Sequence, residues 1–153
     1  MEIILWRHAE AEDAALSDAA RKLTKRGHKQ AAKMAAWLRE RLPGDCRVLA
    51  SPAVRTQQTV AALARPFITS TAVAVGAAPE TLLAEAGWPR GHGTVLIVGH
   101  QPTLGRVAAR LLLGRDEDWS LKKGALVWIA QRTNGKDSGR GGMLRAALTP
   151  DLV

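Results

Sequence analysis

Three short stretches carry side chains that could do chemistry together: "LWRHAEAE" at 5–12, "ASPAVR" at 50–55 and "VGHQP" at 98–102. Each follows an apolar run and brings a cation or an imidazole: Arg7 and His8, then Arg55 behind Ser51–Pro52, then His100 behind Gly99. Two arginines and two histidines suit a phosphoryl group. Guanidinium forks match phosphate oxygens bidentately and stay charged at any working pH. A neutral imidazole can attack phosphorus through one nitrogen while the other donates a hydrogen bond that fixes the tautomer. A second imidazole can donate to the phosphoryl oxygens, so that catalysis is mostly positioning and charge stabilisation. A lone histidine after a strand is more often structural; two at equivalent strand ends, each beside an anion-binding element, favour a site.

For these residues to meet, the apolar runs must be parallel strands, because open α/β sheets place their sites at the strands' carboxyl ends. The pattern supports this. Strands are expected at about 2–7, 47–50 and 94–98, the last β-branched and bounded by glycines. A helix is expected from about Thr24, as N-cap, to Leu42, with Ala31, Met34, Ala35, Leu38 and Leu42 on one face. Ser51 as cap and Pro52 in the first turn predict a second helix over about 52–64, with Arg55 near its anion-favouring start. A β-rich piece at 68–75, a short helix near 80–86 and a helix from about 102 to 113 follow. Strands near 125–131 and 143–148 form a hairpin around the glycine-rich 134–142. The expected fold is therefore α/β: a three-layer sandwich around a mostly parallel central sheet, with the C-terminal hairpin adding antiparallel edge strands. At 153 residues the chain reads as a single domain, 1–153.

Composition narrows the function. No apolar run is long enough to cross a bilayer, and the N-terminus lacks the basic leader and long apolar stretch of a signal peptide, so no membrane partner and a cytoplasmic location are expected. The single Cys46 precludes an internal disulfide and is expected to pack beside Val48–Ala50. No His pair has i,i+4 spacing, and one cysteine cannot build a thiolate zinc site, so neither a metal nor another cofactor is expected. Neither a Gly-x-x-x-x-Gly-Lys-[Ser/Thr] loop nor a Gly-x-Ser-x-Gly elbow is present. The five tryptophans are too scattered for a base-stacking platform, which makes nucleic acid an unfavoured partner. The formal charge of +8 is concentrated between residues 21 and 41, where eight cations face only Glu40. That segment is either a solvated helix face or a docking face for an anionic partner.

The motifs in order, "LWRHAEAE", "KLTKRG" (22–27), "VLASPAVRTQQT" (48–59) and "VLIVGHQPTLG" (95–105), resemble the histidine phosphatase superfamily, the phosphoglycerate-mutase-like group. The compact chain is most similar to its SixA-type phosphohistidine phosphatase branch. The resemblance covers residues 2 to about 113. It implies that His8 is the nucleophile that becomes phosphorylated, that Arg7, Arg55 and His100 form the phosphate pocket, and that Arg21 makes an auxiliary substrate contact. Ala9 stands where the superfamily usually has glycine. Mutase-like relatives carry a glutamate acid between the second and third motifs, where only Glu80 and Glu85 occur here, neither in a recognisable motif.

Expelling an alkoxide needs a positioned acid, whereas an imidazole, with a conjugate-acid pKa near ~6.5, leaves with far less help. The segment between Arg65 and Gly93 has little room for a lid. The expected function is therefore a phosphatase with a phosphohistidine intermediate, acting on a phosphohistidine-bearing protein. The alternatives are a phosphomonoesterase for a small phosphorylated metabolite or nucleotide, and a non-catalytic basic binding module.

Overall fold

The computed structural model describes residues 1–132 and 141–153. Ten principal elements alternate along the chain: β1 (Glu2–Arg7), α1 (Lys25–Arg39), β2 (Arg47–Ala50), α2 (Val54–Ala61), β3 (Ile68–Thr69), α3 (Pro79–Ala86), β4 (Thr94–Gly99), α4 (Thr103–Leu113), β5 (Leu126–Gln131) and β6 (Gly142–Leu148). They build one six-stranded sheet in the order β3-β2-β4-β1-β5-β6. Strands β1 to β4 run parallel; β5 is antiparallel to β1, and β6 is antiparallel to β5.

Alternation along the buried strands makes the three layers. Ile3 and Leu5 of β1 join Val95 and Ile97 of β4 beneath Leu82 of α3 and Leu104, Val107 and Leu111 of α4. Ile4 and Trp6, with Leu96 and Val98, face the other way onto Met34, Ala35 and Leu38 of α1 and Val60 of α2. Both faces of the central strands are covered, which is why those segments read as continuous apolar runs rather than alternating ones.

The expected elements are present with shifted edges. α1 ends at Arg39 rather than Leu42, while Thr24 caps it as anticipated, its hydroxyl accepting from Gly27 N at 2.9 Å. The β-rich 68–75 yields only a two-residue strand, followed by a 3₁₀ turn at Thr71–Val73. α2 begins two residues late, at Val54, with Ala53 as its N-cap. The hairpin strands form, but residues 133–140, most of the glycine-rich connection, lie outside the described residues. Cys46 is half-buried against the α1 side of the core. Among the described residues no helix is long and apolar enough to cross a membrane.

Candidate active site

β2, β4 and β1 are adjacent and parallel, so their carboxyl ends form one edge. Arg7 is level with Gly99. Beyond the strands, His8 N donates to Gly99 O (3.1 Å) and Ser51 N to Val98 O (3.1 Å). The topology thus brings His8, Ser51 and His100 together, and the first turns of α2 deliver Arg55 between the two imidazoles. The ring centroids of His8 and His100 lie 5.3 Å apart.

The hydrogen bonds set the tautomers. His8 Nδ1 is 2.8 Å from the carbonyl of Ala9, which can only accept, so Nδ1 carries the proton and Nε2 keeps its lone pair. Arg55 Nε donates to that Nε2 at 3.3 Å. Arg55 Nη2 lies 3.3 Å from His100 Nδ1, which must therefore accept, leaving His100 Nε2–H to donate to Ser51 Oγ at 2.7 Å. Both imidazoles are held neutral. Burial above all, with the charges of Arg55 and Arg7 adding to it, lowers the pKa of His8 to about 3 and that of His100 to about 4.

The cations are equally constrained. Arg7 Nη1 donates to Leu121 O at 2.5 Å, whereas its Nε is buried with no hydrogen-bond partner among the described residues. An unpaired buried donor on a cation costs free energy that an anion in the site would relieve. Burial and then the neighbouring Arg55 lower the pKa of Arg7, yet a guanidinium keeps its charge at any working pH. The Arg55 side chain is only 4% exposed, and its outer edge is occupied by Asp18: Nη1 donates to the Asp18 carbonyl (2.7 Å) and Nη2 to its carboxylate (3.0 Å).

This constellation offers an uncharged, buried imidazole nitrogen, two guanidiniums and a second imidazole around one point, and among the described residues the only carboxylate hydrogen-bonded to them is that of Asp18. It is suited to in-line attack on phosphorus and to stabilising the charge that spreads over the phosphoryl oxygens.

Comparison with known proteins identifies the family. The model of the histidine phosphatase superfamily (branch 1) matches residues 3–74. A phosphohistidine phosphatase SixA homolog of Haemophilus influenzae is 35% identical over 126 residues, covering 72% of this chain and 77% of that protein. The chain belongs to the histidine phosphatase superfamily. Among solved structures, a candidate phosphohistidine phosphatase SixA from Nakamurella multipartitia superposes with a TM-score of 0.78 at 31% identity, covering 97% of this chain and 95% of the other. The protein histidine phosphatase SixA complexed with tungstate shares the fold, with a TM-score of 0.82, 24% identity and 99% of both chains covered.

In this histidine phosphatase the sequence-predicted residues Arg7, His8, Arg55 and His100 are brought into one site. Arg21 sits at its rim: Nε donates to Glu12 O (2.6 Å) and Nη1 to the Asp18 carboxylate (3.1 Å), so it reaches the site through Asp18. Neither glutamate considered as an acid enters the site. Glu80 is exposed and paired with Arg110 of α4, and its own backbone N–H followed by Arg110 holds its pKa below the ordinary range. Glu85 sits in the last turn of α3, where its carbonyl accepts from Arg47, the first residue of β2, at the opposite edge of the sheet.

Two site residues escape sequence reasoning. Ser51 reads as a helix cap; its hydroxyl does accept from Ala53 N (3.3 Å), but it also holds His100. A hydroxyl can donate as well as accept, so Ser51 can support either tautomer of His100, including the one that points Nδ1–H into the pocket. The signal available was its place at a strand end of the same edge. Asp18 lies in a 3₁₀ turn, Asp18–Ala20, that buries no residue and carries no periodic pattern, so nothing local marked it.

Proposed function

We propose that this histidine phosphatase removes phosphate from phosphohistidine carried on another protein, through a phosphohistidine formed on its own His8. In this reading His8 Nε2 attacks phosphorus in line with the departing imidazole nitrogen. The new N–P bond forms as the substrate's N–P bond breaks, and the departing imidazole takes a proton from solvent. Water then attacks the phosphoryl group on His8, releasing inorganic phosphate and restoring the neutral imidazole. Arg7 and Arg55 bind the phosphoryl oxygens, His100 donates to them from Nδ1 once Ser51 donates to its Nε2, and Arg21 makes the auxiliary contact with the substrate.

The observation that carries the reading is the lack of a protonated carboxyl among the described residues of the site. The Glu80 carboxylate is paired with Arg110, Glu85 belongs to the last turn of α3 beside the start of β2, and hydrogen bonds first from Arg55 and then from Arg21 hold the Asp18 pKa below its usual range. A site without an acid suits a leaving group that needs none, and imidazole is such a group whereas an alkoxide is not. The SixA homolog of Haemophilus influenzae is named for the same substrate class, which supports the same choice.

The test compares kcat/KM for a phosphohistidine peptide with that for simple alkyl phosphates. The peptide should be turned over faster by orders of magnitude. Comparable rates, or a preference for the alkyl esters, would favour the phosphomonoesterase reading instead.

A further inference from the structure

Beside the site lies a groove that the chemistry above does not use. One wall is the α1 stripe Arg26, Lys29 and Lys33; the other is Lys122 and Lys123, with Asp151 at one end and Glu10 at the other. Its volume is about 540 Å³, room for several side chains rather than for a single phosphate. It begins where the site ends. Glu10 is two residues past His8, Leu121 holds Arg7, and Gly124 N donates to His8 O at 3.0 Å.

The groove's carboxylates do not neutralise it. Glu10 pairs with Arg26 (3.7 Å) and Asp151 with Lys122 (3.9 Å), while Lys33 donates to the carbonyl of Pro150. Lys29 and Lys123 have no ion-pair or hydrogen-bond partner among the described residues. Like charges held side by side repel one another, and an acidic ligand relieves that repulsion as it binds.

We propose that this groove docks an acidic segment of the phosphorylated partner protein, next to its phosphohistidine, and so selects which phosphohistidines reach His8. The inference rests on the protein-phosphohistidine reading and adds to it a recognition surface and the charge of the partner. Charge complementarity calls for an anionic segment, and a carboxylate-bearing one is favoured over a nucleic acid because among the described residues no aromatic side chain lines the groove for base stacking.

The test uses two peptides phosphorylated on a single histidine by phosphoramidate, identical except that one carries Asp and Glu beside the histidine and the other Asn and Gln. At low ionic strength kcat/KM should favour the acidic peptide by roughly tenfold, the effect of two or three exposed ion pairs. Added salt should erase the preference. The double variant Lys29→Glu/Lys123→Glu should lose it while hydrolysing the neutral peptide and phosphoramidate at the unaltered rate, which also shows that the variant is folded. Equal turnover of the two peptides, or a preference that survives the double variant, would overturn the proposal. So would a single-stranded oligonucleotide that binds tighter than the acidic peptide and is lost in the same variant. Turnover of alkyl phosphates with neither peptide hydrolysed would instead overturn the phosphohistidine reading itself.

Discussion

Asp18 holds one carboxylate oxygen 3.0 Å from Arg55 Nη2 and the other 3.1 Å from Arg21 Nη1, bridging two arginines much as a phosphoryl group would. Its side chain is 56% exposed, and the turn that carries it buries no residue, so little packing opposes its displacement. Removing its charge should therefore leave Arg55 freer for an anion. Asp18→Asn is expected to bind inorganic phosphate several-fold more tightly in a calorimetric titration; weaker binding would mean that Asp18 chiefly orients Arg55. Arg55→Ala has the opposite expectation. Because Arg55 touches both imidazoles and Asp18, its loss should lower kcat by about 10²–10³, the effect of deleting one preorganised charge-stabilising donor. A rate within a few-fold of the unaltered protein would remove Arg55 from the machinery.

The elements owe their positions to close approaches of two helices to neighbouring loops, α1 to the loop after β1 and α4 to the loop that leads into β5. A Cβ on Gly27 would overlap the carbonyl oxygen of Glu10, and one on Gly105 that of Trp119. Thr24 reinforces the first approach: its N donates to Glu10 O (3.0 Å) and its hydroxyl to the Glu10 carboxylate (2.8 Å). The Leu-Thr-x-x-Gly motif is thus a clamp on the loop that carries His8. Gly27→Ala should destabilise the protein by about 1–3 kcal/mol through this overlap, whereas Gly44→Ala, where nothing lies within 4 Å, should leave Tm in place. Equal thermal denaturation of the two variants would contradict the clamp. These contacts also explain what the sequence could and could not tell. Buried strands such as Thr94–Gly99 announce themselves by composition, and residues at their ends inherit the edge on which parallel strands converge. Arg7, His8, Arg55 and His100 were legible for that reason. Asp18 was not, because it reaches the site from a surface turn, through a contact that depends on the finished fold. Ser51 was read only halfway, since a hydroxyl after a strand suits a cap as well as an imidazole.

At the scale of the molecule, the sheet buries two imidazoles in their neutral forms, and stability depends on pH as a result. The folded pKa values, about 3 for His8 and about 4 for His100, lie below the ordinary 6.5, so the unfolded chain binds more protons in between. The stabilisation from burying the neutral rings is fully present above pH 6.5 and is lost as pH falls through the folded values. Tm should therefore decline on acidification between pH 6.5 and about 5, before the ordinary carboxylates titrate. The His8→Asn/His100→Asn double variant should decline less over the same interval. An identical decline in both proteins would contradict the burial of neutral imidazoles. The basic groove belongs to this scale too, because it puts part of the net charge of +8 beside the entrance to the site.

Everything proposed for this fold depends on His8 acting as the nucleophile. The most direct measurement is to incubate the protein with phosphoramidate, quench within the first turnovers and map acid-labile phosphate by mass spectrometry. The expected result is one phosphoryl group on His8, absent from His8→Ala, which should also lose turnover. Label on another residue, or full turnover by His8→Ala, would contradict it.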